Sequence, residues 1–146
     1  MSKMEQIEIA NEKLKNQLLE AQLDRVIISS IEMCICFISN TVPSREIWLT
    51  TTGRATSTAL DSVEDFFEQR GKFLPLIYSL IGKTVENVNV DETGKLSLKV
   101  GDSAIFITSD EESLEEVWSV TPDSYSPYQE YEWFVTYTDC EELLVK

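Results

Sequence analysis

The segment from Asn87 to Thr108 constrains the fold more than any other part of the chain. Val88 and Val90 alternate with Asn87 and Asn89, and Leu96, Leu98 and Val100 alternate with Lys95, Ser97 and Lys99. A spacing of two places one set of side chains on a single face of an extended strand. Between the two runs, Asp91-Glu92-Thr93-Gly94 reads as a turn that ends on a glycine able to take the left-handed backbone conformation. Gly101 and Asp102 make the next tight turn, into Ala104–Thr108, where Ile105 and Ile107 share one face and Phe106 takes the other. Three strands joined by short turns form an antiparallel meander.

The remainder is read around that meander. Residues Lys3 to about Arg25 lack Gly and Pro and are rich in strong helix formers. Ile7, Ala10, Leu14, Leu18 and Ala21 trace one stripe, so a long N-terminal helix is expected, packed on the sheet or pairing with a second copy as a homodimer. Val26–Ile38 finishes the helix and becomes a buried strand, and Glu46–Thr52 is a strand with Ile47, Leu49 and Thr51 on one side. Thr50–Thr58 reads as a loop. Ser62 followed by Asp65 resembles a cap for a short helix ended by Gly71, and Pro75 opens another. Val117–Thr121 gives a further strand, Tyr131, Trp133, Val135 and Tyr137 alternate along another, and Leu143–Val145 closes the chain. The expected architecture is α+β: an N-terminal helix or helices on one face of an antiparallel meander of about five to six strands. It is one domain, with the long helix over 1–25, mixed strands and short helices over 26–82 and an acidic β-meander over 83–146.

Charge then narrows the function. The chain of 146 residues carries 26 Asp and Glu against 12 Lys and Arg, for a net charge of −14, and contains no His. That balance disfavours direct nucleic-acid or anionic-membrane binding. Absence of His removes the commonest general base and the preferred zinc nitrogen ligand. No phosphate-cradling or nucleophile-elbow glycine motif occurs, and the carboxylates do not follow a calcium-loop spacing. No enzyme, catalytic residue, metal or cofactor is therefore expected. Cys34, Cys36 and Cys140 are an odd number and cannot form a closed disulfide framework, the first twenty residues carry four Glu and make no secretory core, and no apolar run is long enough to span a bilayer. These features point to a reducing cytoplasm. Cys34 and Cys36 flank Ile35, so in a strand both thiols fall on one face.

The acidity is local. Residues 1–100 hold 14 acids and 11 bases, a net of −3, whereas residues 101–146 hold 12 acids and Lys146 alone, a net of −11. Three clusters carry it: Asp110, Glu111, Glu112, Glu115 and Glu116; Glu130 and Glu132; and Asp139, Glu141 and Glu142. Ser109 with Glu112 has the capping-box form, so the first cluster would also suit the opening of a short surface helix. So many like charges with one compensating base point to a partner that neutralises them. Tyr125 and Tyr128, in a loop bounded by Pro122 and Pro127, would add aromatic anchors to an acidic interface with a basic protein.

The stretches VENVNVDETGKLSLKV, SAIFITSDEESLEEVWSV and EYEWFVTYTDCEELLV, over about residues 80–146, give the chain its resemblance to small acidic cytoplasmic immunity proteins of bacterial toxin systems, including contact-dependent growth inhibition. The shared pattern is a turn between two short strands, an acidic step before a Trp-containing strand, and a closing strand. The resemblance implies a non-enzymatic inhibitor that blocks a toxin, with a nuclease as its basic target. It transfers no binding residue. Two further readings stand beside it: a phage-type anti-defence protein or DNA mimic acting on a nucleic-acid-handling complex, and a homodimeric scaffold or adaptor built on the N-terminal helix.

Overall fold

A computed structural model describes residues 2–123 and 130–146, and Tyr125 and Tyr128 lie outside them. The architecture is α+β, with two helices and ten strands among the described residues, the strands divided between a six-stranded and a four-stranded sheet, antiparallel throughout.

Helix α1 (Lys3–Leu18) starts where the Ser2 hydroxyl accepts a hydrogen bond from the Glu5 amide, and it buries Ala10, Leu14 and Leu18 completely. It stops seven residues short of the expected Arg25. Glu20 takes a left-handed backbone (φ +67°), and the chain then pairs with a distant segment: Glu20 N–H donates to Val85 O at 2.9 Å, Val85 N–H to Ala21 O at 2.8 Å and Leu23 N–H to Lys83 O at 2.9 Å. Tertiary hydrogen bonds thus override a helical propensity that sums to only a few kcal/mol over such a window. Residues 22–38 form a hairpin of β1 (Gln22–Ile28) and β2 (Met33–Ile38), so the first part of the expected helix-to-strand stretch is itself a strand.

Strand β3 (Glu46–Thr51) buries Ile47, Leu49 and Thr51 as expected. The expected loop after it contains β4 (Arg54–Ser57), which belongs to the other sheet. The crossing lies at Thr52 and Gly53. A Cβ at Gly53 would stand 2.6 Å from Thr108 O, so only glycine permits the two backbones to approach this closely. Threonines lock the corner: Thr51 Oγ1 donates to Val117 O at 2.8 Å and accepts from Gly53 N–H, while Thr52 Oγ1 donates to Glu116 O at 2.9 Å and accepts from Leu114 N–H.

Helix α2 (Phe66–Ser79) replaces the two short helices expected there. Asp65, not Ser62, is its cap, accepting from Glu68 N–H at 2.9 Å. Gly71 and Pro75 lie within the helix on its exposed side, where water can serve the Gly71 carbonyl that Pro75 cannot. The meander forms as read: β5 (Val85–Val90), β6 (Leu96–Val100) and β7 (Ser103–Thr108) pair in sequence, with β4 on the far side of β7. Then β8 (Glu116–Pro122), β9 (Val135–Thr138) and β10 (Leu143–Val145) extend the large sheet from β3, giving the order β1-β2-β3-β8-β9-β10.

Strand β9 is shorter than the aromatic alternation suggested. Tyr131 and Trp133 precede it, although both are buried, as are Val135 and Tyr137 within it. One apolar core runs from Ala10 to Tyr137 between the sheets and helices. At its centre Trp118 is fully buried, donates from Nε1 to Gly94 O at 2.9 Å, and stacks on Tyr137 with ring centroids 6.4 Å apart. Helix α1 lies across β5, β9 and β10. Asn11 clamps the Val90 backbone by donating to its carbonyl and accepting from its amide, and Gln6 donates to Leu143 O. Ala10, Leu14 and Leu18 of the apolar stripe of α1 are therefore buried inside the chain's own fold.

Candidate functional site: an acidic rim at one end of the sheets

Two of the three acidic clusters are brought to one end of the sheets by the strand connections that carry them. Between β7 and β8, Asp110 organises a turn in place of the short helix allowed by the sequence: its Oδ1 accepts from Glu112 N–H at 3.1 Å, and its amide donates to Ser113 Oγ at 3.0 Å. Glu111, Glu112 and Glu115 are thrown outward and exposed, while Glu116 enters β8 and is half-buried. Asp139 N–H donates to Glu115 O at 2.9 Å, and Glu116 stands opposite Thr138, which sets the β9–β10 turn with Asp139, Glu141 and Glu142 directly beside the first cluster. The first and third clusters thus form one rim.

The second cluster does not join it. Glu130 and Glu132 precede β9 and sit at its opposite end, with Glu130 Oε1 3.6 Å from Lys146 Nζ. Lys146 also donates to Tyr131 O at 2.7 Å, so the lone base of the acidic segment closes the chain end and leaves the rim without a counter-charge from that segment.

Acids from the first two thirds of the chain complete the rim. Glu64, Asp65 and Glu68, around the start of α2, face Asp110, Glu111 and Glu112 across a cleft of about 1000 Å³ that also exposes Phe67. Glu32 joins Glu115 and Glu116 around a cleft of about 300 Å³ floored by Thr50, Thr51 and Thr52. Asp91 and Glu92, in the β5–β6 turn, face Glu141 and Glu142 across a third cleft of about 340 Å³. None of these six acids is expected from the sequence to be a binding residue, because all lie in residues 1–100, where the net charge is only −3. The turn at Asp91–Gly94 was legible, but its position against β9 depends on long-range pairing.

Arg54 is the cation built into the rim. Its Nε donates to Asp110 Oδ2 at 2.8 Å and Nη1 to Val63 O at 2.7 Å, and Nη2 donates to Glu64 O. Both partners of the ion pair are 17% exposed. Burial would raise the Asp110 carboxyl, but hydrogen bonds from Arg54 and the Glu112 amide outweigh it and hold the group below the usual carboxylate range. Asp91 behaves alike, with the Thr93 hydroxyl and the Thr93 and Lys95 amides overcoming its burial. Elsewhere the rim raises its neighbours. The Cys140 thiol is pushed up by its hydrogen bond to Asp139 and by the charges of Asp139, Glu142 and Glu115, and the Tyr137 phenol is pushed up by burial and then by Glu141 and Asp91.

Cys34 and Cys36 share the outer face of β2 with sulfurs 3.8 Å apart, both buried and unbridged, and Cys140 is exposed. The hydrogen bond to Cys36 and then burial push the Cys34 thiol up. Among the described residues no three Cys, Asp or Glu side chains are placed to hold a metal ion, and no helix is long and apolar enough to cross a membrane. The geometry therefore offers concentrated negative potential, shallow clefts and a few exposed apolar side chains, which suits recognition of a cation-rich surface. No family model matches the chain, and no curated protein or solved structure is significantly similar to it.

Proposed function

We propose that this chain is a non-enzymatic inhibitor that binds a basic partner protein and neutralises it, in the manner of a cytoplasmic immunity protein blocking a nuclease-type toxin. The observation that carries this reading is the junction of the 110–116 and 139–142 clusters into one rim, held together by the bond from Asp139 to Glu115. Like charges gathered with few counter-ions repel one another, and a basic partner relieves that repulsion on binding. A site evolved to grip phosphate presents the Lys and Arg that such a rim would pair.

Glu111, Glu112, Glu115 and Glu116 steer and pair with that surface, Asp139, Glu141 and Glu142 extend the contact, and Phe67 and Leu114 supply exposed apolar area. Tyr125 and Tyr128, outside the described residues, and Glu130 and Glu132, at the far end of β9, belong to the interface only where the partner reaches beyond the rim. Capture from the native host, with partner identification, tests the reading. The wild-type chain should recover a basic protein at low salt, and the variant with Glu111, Glu112, Glu115 and Glu116 replaced by Lys should not. Equal recovery by both would refute the charge mechanism, and recovery of a nucleic-acid-handling complex in place of a toxin would assign the anti-defence role.

A further inference from the structure

The cleft between the start of α1, the β5–β6 turn and the β9–β10 turn differs from the rest of the rim in having the polar end of a mostly buried side chain on its wall. Tyr137 is 6% exposed as a residue, and its hydroxyl, which forms no hydrogen bond among the described residues, is the part that opens to the cleft. A Cβ on Gly94 would lie 2.0 Å from Tyr137 Cζ, so the phenolic end of the ring rests against Gly94, and both residues line the cleft. Gly94 has φ +82°, a conformation that fits the missing side chain. Asp91 and Glu92 stand on one side, and Glu141 and Glu142 on the other. The volume of about 340 Å³ exceeds what one side-chain head group needs, and among the described residues Lys3 is the one cation lining it.

We propose that this cleft is a subsite for the guanidinium group of an arginine on the basic partner, an inference that rests on the inhibitor reading above. The planar guanidinium offers five N–H donors in a fixed fork, so it can donate at once to the Tyr137 hydroxyl and to carboxylates on both turns. A lysine ammonium, with three donors at one point, cannot span the two turns in the same way. Lys3, at the first turn of α1, opposes a second cation and limits the affinity of the free chain for small ligands.

The test uses the intact chain and Nα-acetyl-arginine methylamide, followed through backbone amide resonances, with the neutral citrulline counterpart and spermidine as parallel titrants. Saturable shifts confined to Gly94, Glu141, Glu142 and the first turn of α1 are expected with the arginine derivative and not with citrulline. Tyr137→Phe keeps the ring against Gly94 and should weaken binding about tenfold, the worth of a hydrogen bond to a charged group. Glu142→Gln alters an exposed side chain, leaves the fold intact, and should also weaken it; Lys3→Gln should tighten it. Equal shifts with citrulline, equal binding by wild type and both weakening variants, or half-saturation by spermidine at lower concentration would each overturn the assignment, the last by giving the cleft to a free polyamine. Because the titrant is not the partner, a negative result removes this subsite alone. The acidic-rim reading stands or falls on the separate reversal of Glu111, Glu112, Glu115 and Glu116, none of which lines this cleft.

Discussion

Two edges of the six-stranded sheet handle charge in opposite ways. At the β1 edge, Arg25 reaches Asp24 at 3.0 Å and Glu46 at 3.2 Å and lies over the Trp48 ring at 5.4 Å, while Trp48 Nε1 donates to Glu46 Oε2 at 2.9 Å. Each acid there meets a cation or an indole N–H, and Glu46 is held below its usual range first by Trp48 and then by Arg25, against burial. Around the β8–β9–β10 end, acids meet chiefly other acids, and among the described residues Arg54 alone forms an ion pair with the rim. Charge closed into local pairs shapes a surface without leaving a strong field. Charge left unpaired costs stability and remains free to act on another molecule.

The largest effect tests whether the meander fixes the rim. Gly94→Ala forces a Cβ into the Tyr137 ring at a left-handed position, and should cost about 3 kcal/mol or more in urea unfolding while displacing the two turns that face each other across the third cleft. Arg54→Met comes next. It leaves the Asp110 carboxylate and the Val63 and Glu64 carbonyls without their donor, for a loss of about 2–3 kcal/mol. The same variant should flatten the acid limb of the stability curve. Asp110 has a folded pKa below its unfolded value near 3.9, so its contribution is complete above that value and disappears as pH falls through the lower folded one. A wild-type acid limb that Arg54→Met leaves unaltered would show that this pair does not govern it.

Smaller changes separate the two edges directly. Replacing Glu111, Glu112, Glu115 and Glu116 by Gln should raise the melting temperature at low salt by about 1–3 °C and shrink the gain that added salt produces, since screening and neutralisation relieve the same repulsion. Arg25→Met, at the paired edge, should shift the midpoint by less than about 2 °C, because its side chain is 41% exposed and its ion pairs lie in water. If Arg25→Met proved more disruptive than Arg54→Met, the distinction between the edges would fail.

What could be read from the residues follows the range of the forces involved. The β5–β6–β7 meander, β3, β8 and β10 were legible, because period-two alternation and turn chemistry at Asp91–Gly94 and Gly101–Asp102 are local. The extent of α1 was not, since Glu20, Ala21 and Leu23 answer to Lys83 and Val85, sixty and more residues away. Strand β4 was hidden because its corner depends on Gly53 meeting Thr108 and on threonines bonding across to β8. Helix α2 continues through Gly71 and Pro75 because both lie on its exposed side. For the site, the 110–116 and 139–142 acids were visible as clusters, but their union with each other, and with Asp91, Glu92, Glu32 and the start of α2, is a product of strand order.

The measurement that tests the central claim most directly is the association rate constant with the captured basic partner, taken at low and at high salt for wild type and for the Glu111, Glu112, Glu115 and Glu116 to Lys variant. The account predicts a wild-type rate that falls steeply with salt, by about tenfold or more across the Debye range, and a variant rate that is low and nearly salt-independent. Equal rates with equal salt slopes would contradict it and reduce the rim to an acidic surface with no part in binding.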